Sequence, residues 1–149
     1  MAMLEITKAD IAHADRIQAL LVQLGYNASI AEVKTGLNSQ DPHSHLYVAT
    51  LEGRVIAFMS LIYFYYFPIL NQNCRITAIV VDEQVRKTGV GRQLIQFAQV
   101  KARQHACAQL EVTTSLERKA TQAYYEHNGF IKTSFRYYMN LPDNANVAL

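Results

Sequence analysis

The sequence predicts a mixed α/β fold: one sheet flanked by helices. Three observations carry this. Short runs rich in β-branched and aromatic residues alternate with runs whose apolar residues recur at helical spacing. Their order, β-α-α-β-β-β-α-β-α-β-β, combines hairpin-like neighbours with a helical crossover. The chain has 149 residues, half of them hydrophobic and 17% charged. That suffices for one domain with a core and is too short for two ordinary ones, so residues 1–149 are expected to form a single domain.

Each element has a local reason. Leu4 to Thr7 reads as a short strand. Asp10 is a candidate helix cap, followed by Ile11, Ala14, Ile17, Leu21 and Leu24 on one helical face, and Gly25 ends that helix. Ser29 caps a second helix holding Ile30, Val33 and Leu37, and Asn38 to Ser44 is turn chemistry. Leu46–Thr50 and Val55–Phe64 are strand-like and flank Glu52-Gly53, so they read as a hairpin. Arg75 to Val81 is the next strand. Val90, Leu94, Phe97, Ala98 and Ala102 mark one face of a long helix. Leu110–Thr114 is a strand, and Ala120–Asn128 a helix stopped by Gly129. Phe130–Ser134 and Arg136–Leu141 read as two last strands, and residues 142–149 as a loose tail.

Composition excludes several function classes. The net charge is +2, with basic residues scattered along the chain, so there is no basic face for nucleic acid. The longest apolar run, Val55–Leu70, is interrupted by tyrosines, a serine and a proline and is too short to span a bilayer. The start, Met1-Ala2-Met3-Leu4-Glu5, lacks the character of a signal peptide, so a cytoplasmic protein is expected. Cys74 and Cys107 form no C-x-x-C pair and read as free thiols. His43 and His45 lack a third ligand, so no metal site is expected.

The segment Arg86-Lys87-Thr88-Gly89-Val90-Gly91 carries the chemistry. It follows the apolar run Ile76–Val81 and opens a helix. Glycine lets a ligand approach the backbone closely, and the first amides of a helix attract an anion. Phosphate binding is therefore expected here. The P-loop string G-x-x-x-x-G-K-[ST] is absent. The dinucleotide fingerprint G-x-G-x-x-G fails because Leu94 stands at the third glycine.

Val81-Asp82 followed by Arg86-x-x-Gly89-x-Gly91 resembles motif A of the GNAT superfamily of acyl-CoA N-acyltransferases, [QR]-x-x-G-x-[GA]. Tyr124-Tyr125-Glu126-His127-Asn128-Gly129-Phe130 is similar to that family's F-Y-E-x-x-G-F block, at the usual distance downstream. The resemblance spans the chain and is sharpest from Ile76 to Leu141. It implies a mixed, mostly antiparallel sheet of about six to seven strands, splayed between strands 4 and 5 and flanked by about four helices.

It also implies residue roles. Acetyl-CoA would be the donor. Its pantetheine would pair with the backbone of Ile79, Val80 and Val81, and its pyrophosphate would rest on Arg86, Lys87, Thr88, Gly89, Val90, Gly91 and Arg92. Tyr125 would be the general acid that protonates the departing thiolate. Glu111, within Leu110-Glu111-Val112, would be the base that frees the attacking amine. Arg118 stands where many members have an asparagine, and the preceding connection Ser115-Leu116-Glu117 is longer than in the Leu-Glu-Val members. The acceptor would be a primary amine of a small molecule, peptide or protein, acetylated by direct attack without an acyl-enzyme. The resemblance allows a homodimer. A non-catalytic acyl-CoA sensor on the same fold is the alternative function.

Overall fold

The computed structural model describes residues 3–39, 41–86 and 88–143. The chain divides into two compact units, one through Val112 and one from Thr113 onward.

The first unit is a five-stranded sheet in the order β1-β2-β3-β4-β5. Its strands are β1 (Leu4–Lys8), β2 (Ser44–Leu51), β3 (Arg54–Tyr66), β4 (Asn71–Val81) and β5 (Cys107–Val112). The first four pair antiparallel, and β5 runs parallel to β4. The β2–β3 hairpin turns at Glu52 and Gly53, with φ of 52° and 79°. Two successive left-handed residues match the twist of the flanking strands, and glycine takes the second place without strain.

Helices α1 (Ala14–Leu24) and α2 (Ile30–Leu37) cover one face. Ile17 and Leu20 of α1 and Val33 of α2 pack with Val48, Phe58 and Val80 of the sheet. Both caps read from the sequence are present. Asp10 and His13 form a reciprocal capping box ahead of α1, and Ser29 does the same with Glu32 in α2. Gly25 ends α1 at φ 108°. Helix α3 (Val90–Gln104) lies on the opposite face, because it meets Tyr47, the neighbour of Val48 in β2, and adjacent strand residues point to opposite faces. The Tyr47 and Phe97 rings meet edge-on at 4.9 Å, and His105 stacks on Tyr63 at 3.8 Å. Leu94, Ile95 and Ala98 of α3 are buried.

Two strands, β4 and β5, differ most from the sequence reading. Strand β4 begins at Asn71, because the polar stretch Asn71–Cys74 completes a hairpin with Tyr63–Tyr66 around a turn at Phe67–Ile69. Strand β5 begins at Cys107, directly after Ala106 reverses the chain at φ 55°, and it ends at Val112.

In the second unit α4 spans Lys119–His127 and closes at Gly129, φ 94°. The two expected strands Phe130–Ser134 and Arg136–Leu141 are corrected: no described residue from 130 to 143 belongs to a strand. The sheet has five strands among the described residues, where six to seven were expected. The apolar alternation is real, but Ile131, Phe135, Tyr137, Met139 and Leu141 are each 70–89% exposed. Strand propensity measures fit to a half-buried pleated surface, and no ladder is described for these residues. Of the expected tail, Pro142 and Asp143 are exposed without regular structure, and residues 144–149 lie outside the described residues.

Candidate functional site

The parting of β4 and β5 creates the first part of the site. Their pairing ends at Ile76 opposite Val112. Strand β4 continues through Thr77, Ala78, Ile79, Val80 and Val81 with β3 alone as partner among the described residues. Asp82 N–H donates to the Ile56 carbonyl at 2.7 Å. Hydrogen-bonded and non-bonded pairs alternate along an antiparallel ladder, so Val80 bonds to β3 while Ile79 and Val81 turn their backbone groups to the open side. The Val81 carbonyl accepts from Gln23 Nε2 at 2.8 Å, and Gln23 Oε1 accepts from Glu83 N–H at 3.1 Å. Helix α1 thus ties down the end of the open strand.

The second part is the loop from Val81 into α3. Asp82 is buried, and its carboxylate accepts from Gln84 N–H at 3.0 Å and from Arg16 Nη2 at 2.7 Å. Arg16 Nε also donates to the Val55 carbonyl, and Arg54 lies 3.9 Å from the carboxylate. The Gln84 amide, then the Arg16 and Arg54 charges, hold the Asp82 carboxyl below the usual range against the opposing effect of burial. A depressed folded-state pKa gives stability that is present in full above the ordinary aspartate value of about 3.9 and lost as pH falls through the folded value. Asp82→Asn is accordingly expected to lower the denaturant midpoint at pH 7 and to flatten the loss of stability below about pH 4. Urea titrations across pH check this, and identical acid limbs for variant and parent would refute it.

Beyond Asp82, Arg86 and Thr88 are exposed, and Thr88 Oγ1 donates to the Val85 carbonyl. Lys87, expected among the phosphate ligands, lies outside the described residues. Gly89 is the N-cap of α3 at φ 85°, with no side chain capping the helix. The first intrahelical bond among those described here runs from Gln93 N–H to the Gly89 carbonyl at 3.1 Å. The amides of Val90, Gly91 and Arg92 precede that bond and form the open N-terminus of a 15-residue helix. These residues fit a diphosphate: free donors converge, and Arg86 and Arg92 add exposed charge beside them.

Glu111 lies in the last stretch of β5 before the strands part. Arg75, opposite it on β4, donates from Nε to Oε1 at 2.5 Å, and Asn73 Nδ2 donates to Oε2 at 3.1 Å. Both carboxylate oxygens are therefore held by β4. Phe64 of β3 lies under the Arg75 guanidinium, 4.9 Å from ring centroid to Cζ.

Tyr125 belongs to the second unit and is the buried residue of α4. Its ring meets Phe130 edge-on at 5.6 Å, and its carbonyl accepts from Phe130 N–H. Burial raises the Tyr125 pKa and the Arg118 charge opposes it. Arg118 is the N-cap of α4. The long Ser115–Glu117 connection is fastened by Gln122 Nε2, which donates to the Ser115 and Leu116 carbonyls. Cys74 is buried, and that burial, with the nearby Cys107 and Glu111, pushes its thiol up to about 12. A thiol so protonated is no nucleophile at neutral pH. Among the described residues no cluster of three or more histidine, cysteine or acidic side chains has metal-binding geometry.

Residues 15–130 match the Acetyltransferase (GNAT) family. The chain belongs to this family. Aminoalkylphosphonate N-acetyltransferase of Salmonella typhimurium is 26% identical over 140 residues, covering 92% of this chain and 91% of that protein. An aminoglycoside N-acetyltransferase solved in complex with CoA superposes with a TM-score of 0.83 at 20% identity, covering 95% of this chain and 96% of the other. A transcriptional regulator from Bacillus halodurans reaches a TM-score of 0.84 at 17% identity, covering 93% and 100%. The fold is that of a GNAT protein, and family membership together with its N-acetyltransferase relatives makes the chain an acyltransferase.

Sequence reasoning missed several residues of this GNAT protein. Gln23, Arg16 and Asp82 brace the loop, and Asn73 and Arg75 grip Glu111. Asp82 was visible only as part of a motif. Arg75 stood at the expected start of a strand, but its pairing with Glu111 depends on the parallel β4–β5 register. Only a covarying pair at positions 75 and 111 would have exposed it from sequence.

Proposed function

We propose that the protein is an N-acetyltransferase that moves the acetyl group of acetyl-CoA to a primary amine by direct attack. The observation that carries this is the open edge of β4 leading, across Gly89, into the uncapped N-terminus of α3. Pantetheine amides pair with the outward N–H and C=O of Ile79 and the N–H of Val81 as an added strand would, since the Val81 carbonyl is held by Gln23. The diphosphate sits on the amides of Val90, Gly91 and Arg92, flanked by Arg86, Lys87 and Thr88. The two units act as one acetyltransferase domain in the cytoplasm. The names of the relatives above, acting on aminoalkylphosphonates and aminoglycosides, support a small amine as acceptor. N-alpha-acetyltransferase 30 of Saccharomyces cerevisiae is 33% identical over 73 residues, covering 48% of this chain and 42% of that protein, and its name adds an α-amine to the acceptors to be tested.

The test is thermal stabilisation by acetyl-CoA, together with thiol release over a panel of amines. Stabilisation with turnover supports the reading. Stabilisation by acetyl-CoA without turnover of any amine assigns a sensor instead, and stabilisation by a nicotinamide dinucleotide instead of CoA rejects the donor.

In this mechanism Tyr125 protonates the leaving thiolate and Glu111 accepts the amine's proton, directly or through water. Glu111→Gln retains an acceptor for Asn73 and removes the basic oxygen pair. We expect kcat to fall about 10²-fold, with loss of the acid limb of the pH–rate profile. An unchanged profile would leave Glu111 a purely structural partner of Arg75.

A further inference from the structure

We infer that the amine acceptor carries a second, anionic group, a carboxylate or a phosphorus oxyanion, and that Arg75 recognises it. This deepens the acetyltransferase reading and rests on it. Arg75 sits one residue before the last β4–β5 pair, where the sheet begins to open. Its guanidinium is fixed on two sides. Nε is bonded to Glu111, and the plane rests on the Phe64 ring. The terminal nitrogens Nη1 and Nη2 have no hydrogen-bond partner among the described residues, and the side chain is 38% exposed. A guanidinium held by one edge presents its other donors in a rigid fork that matches a carboxylate or phosphonate.

The surroundings favour a ligand over a closed ion pair. Glu111 is held by Asn73 as well as Arg75, so its place does not depend on the whole guanidinium. Asn73 is fully buried, and its Oδ1 has no partner among the described residues. Gln109 supplies a further polar group by accepting from Asn73 Nδ2 at 3.2 Å. The nearby charge that opposes an incoming anion is Glu111 itself, and its negative charge is already matched by Arg75. An anion on the free edge and an ammonium approaching Glu111 would together keep the cluster neutral. Such a pair of charges on one small molecule describes an amino acid or an aminophosphonate.

The test uses three amines of one chain length, ending in a phosphonate, a carboxylate or a methyl group. Thiol release is measured for the parent, Arg75→Met and Arg75→Lys. We expect the parent to favour at least one anionic amine over the methyl-capped one by tenfold or more in kcat/KM, mainly through KM. Arg75→Met should collapse that ratio toward one, and Arg75→Lys should restore part of it. A loss of Glu111 catalysis slows all three amines together and leaves the ratio alone. To separate recognition by Arg75 from repulsion by an unmasked Glu111, the ratio is also compared between Glu111→Gln and Arg75→Met/Glu111→Gln by calorimetric affinity for the three amines, where it should still collapse when Arg75 is removed. A parent ratio near one, or a ratio unchanged in Arg75→Met, overturns the inference while leaving acetyl transfer intact. The better anionic amine distinguishes phosphonate from carboxylate. If neither these three amines nor any of the wider panel is turned over, the acetyltransferase reading itself fails. Calorimetry with alkylphosphonate and alkylcarboxylate on CoA-saturated parent protein then decides, and no binding of either rejects the anion site as well.

Discussion

Tyr125→Phe is expected to lower kcat by 10²- to 10⁴-fold, the range that a positioned proton donor contributes, while CoA affinity stays within about twofold. The variant keeps the ring, and so keeps the edge-on contact with Phe130 that packs α4 onto the following turn. Only the hydroxyl is lost. Burial raises the phenol's pKa and Arg118 partly offsets this. The net upward shift keeps Tyr125 protonated throughout the neutral range, as an acid must be. It also makes the phenol a weaker donor, so the Arg118 charge helps to keep it useful. The alkaline limb of the parent's kcat profile should lie above about pH 10, the ordinary tyrosine value, and vanish in the variant. Stopped-flow thiol release across pH, with calorimetry for CoA, checks both parts. Equal kcat in the two proteins would remove Tyr125 as the acid.

Gly89→Val is expected to weaken CoA binding by tenfold or more. At φ 85° a β-branched residue is strained. A Cβ there would meet nothing within 4 Å, so the penalty is purely conformational. About 1–3 kcal/mol of backbone strain would be relieved by moving the first turn of α3, which carries the amides proposed to hold the diphosphate. Gly89→Asn should be milder, because asparagine tolerates the left-handed region. Dissociation constants for CoA from calorimetry check the order glycine, asparagine, valine. Equal affinities would mean that the donor does not use this turn.

The sequence was most legible where local chemistry decides the structure. Asp10, Ser29, Gly25 and Gly89 fix helix ends through bonds within a few residues, and each does so in the structure. The hairpin at Glu52-Gly53 is equally local. Legibility failed where a partner far along the chain decides. The period-two pattern from Ile131 to Leu141 carries the strand signal, but a strand exists only with a ladder beside it. The same holds for the site. The glycine loop and the Tyr125 block could be found by their residue types. The clasp of Arg75 and Asn73 on Glu111, and of Arg16 on Asp82, crosses 36 or more residues and requires the folded register.

The open run of β4 has another consequence. Unpaired strand edges are templates on which other chains can assemble, and proteins keep such edges short or cover them. Here the edge without a second strand among the described residues is Thr77 to Val81, about 17 Å of strand at the usual rise. A longer gap would give a donor molecule more amides to meet and would also give a stray strand enough pairing to persist. Solubility in the resting protein and grip on its ligand therefore set opposite limits on the same five residues.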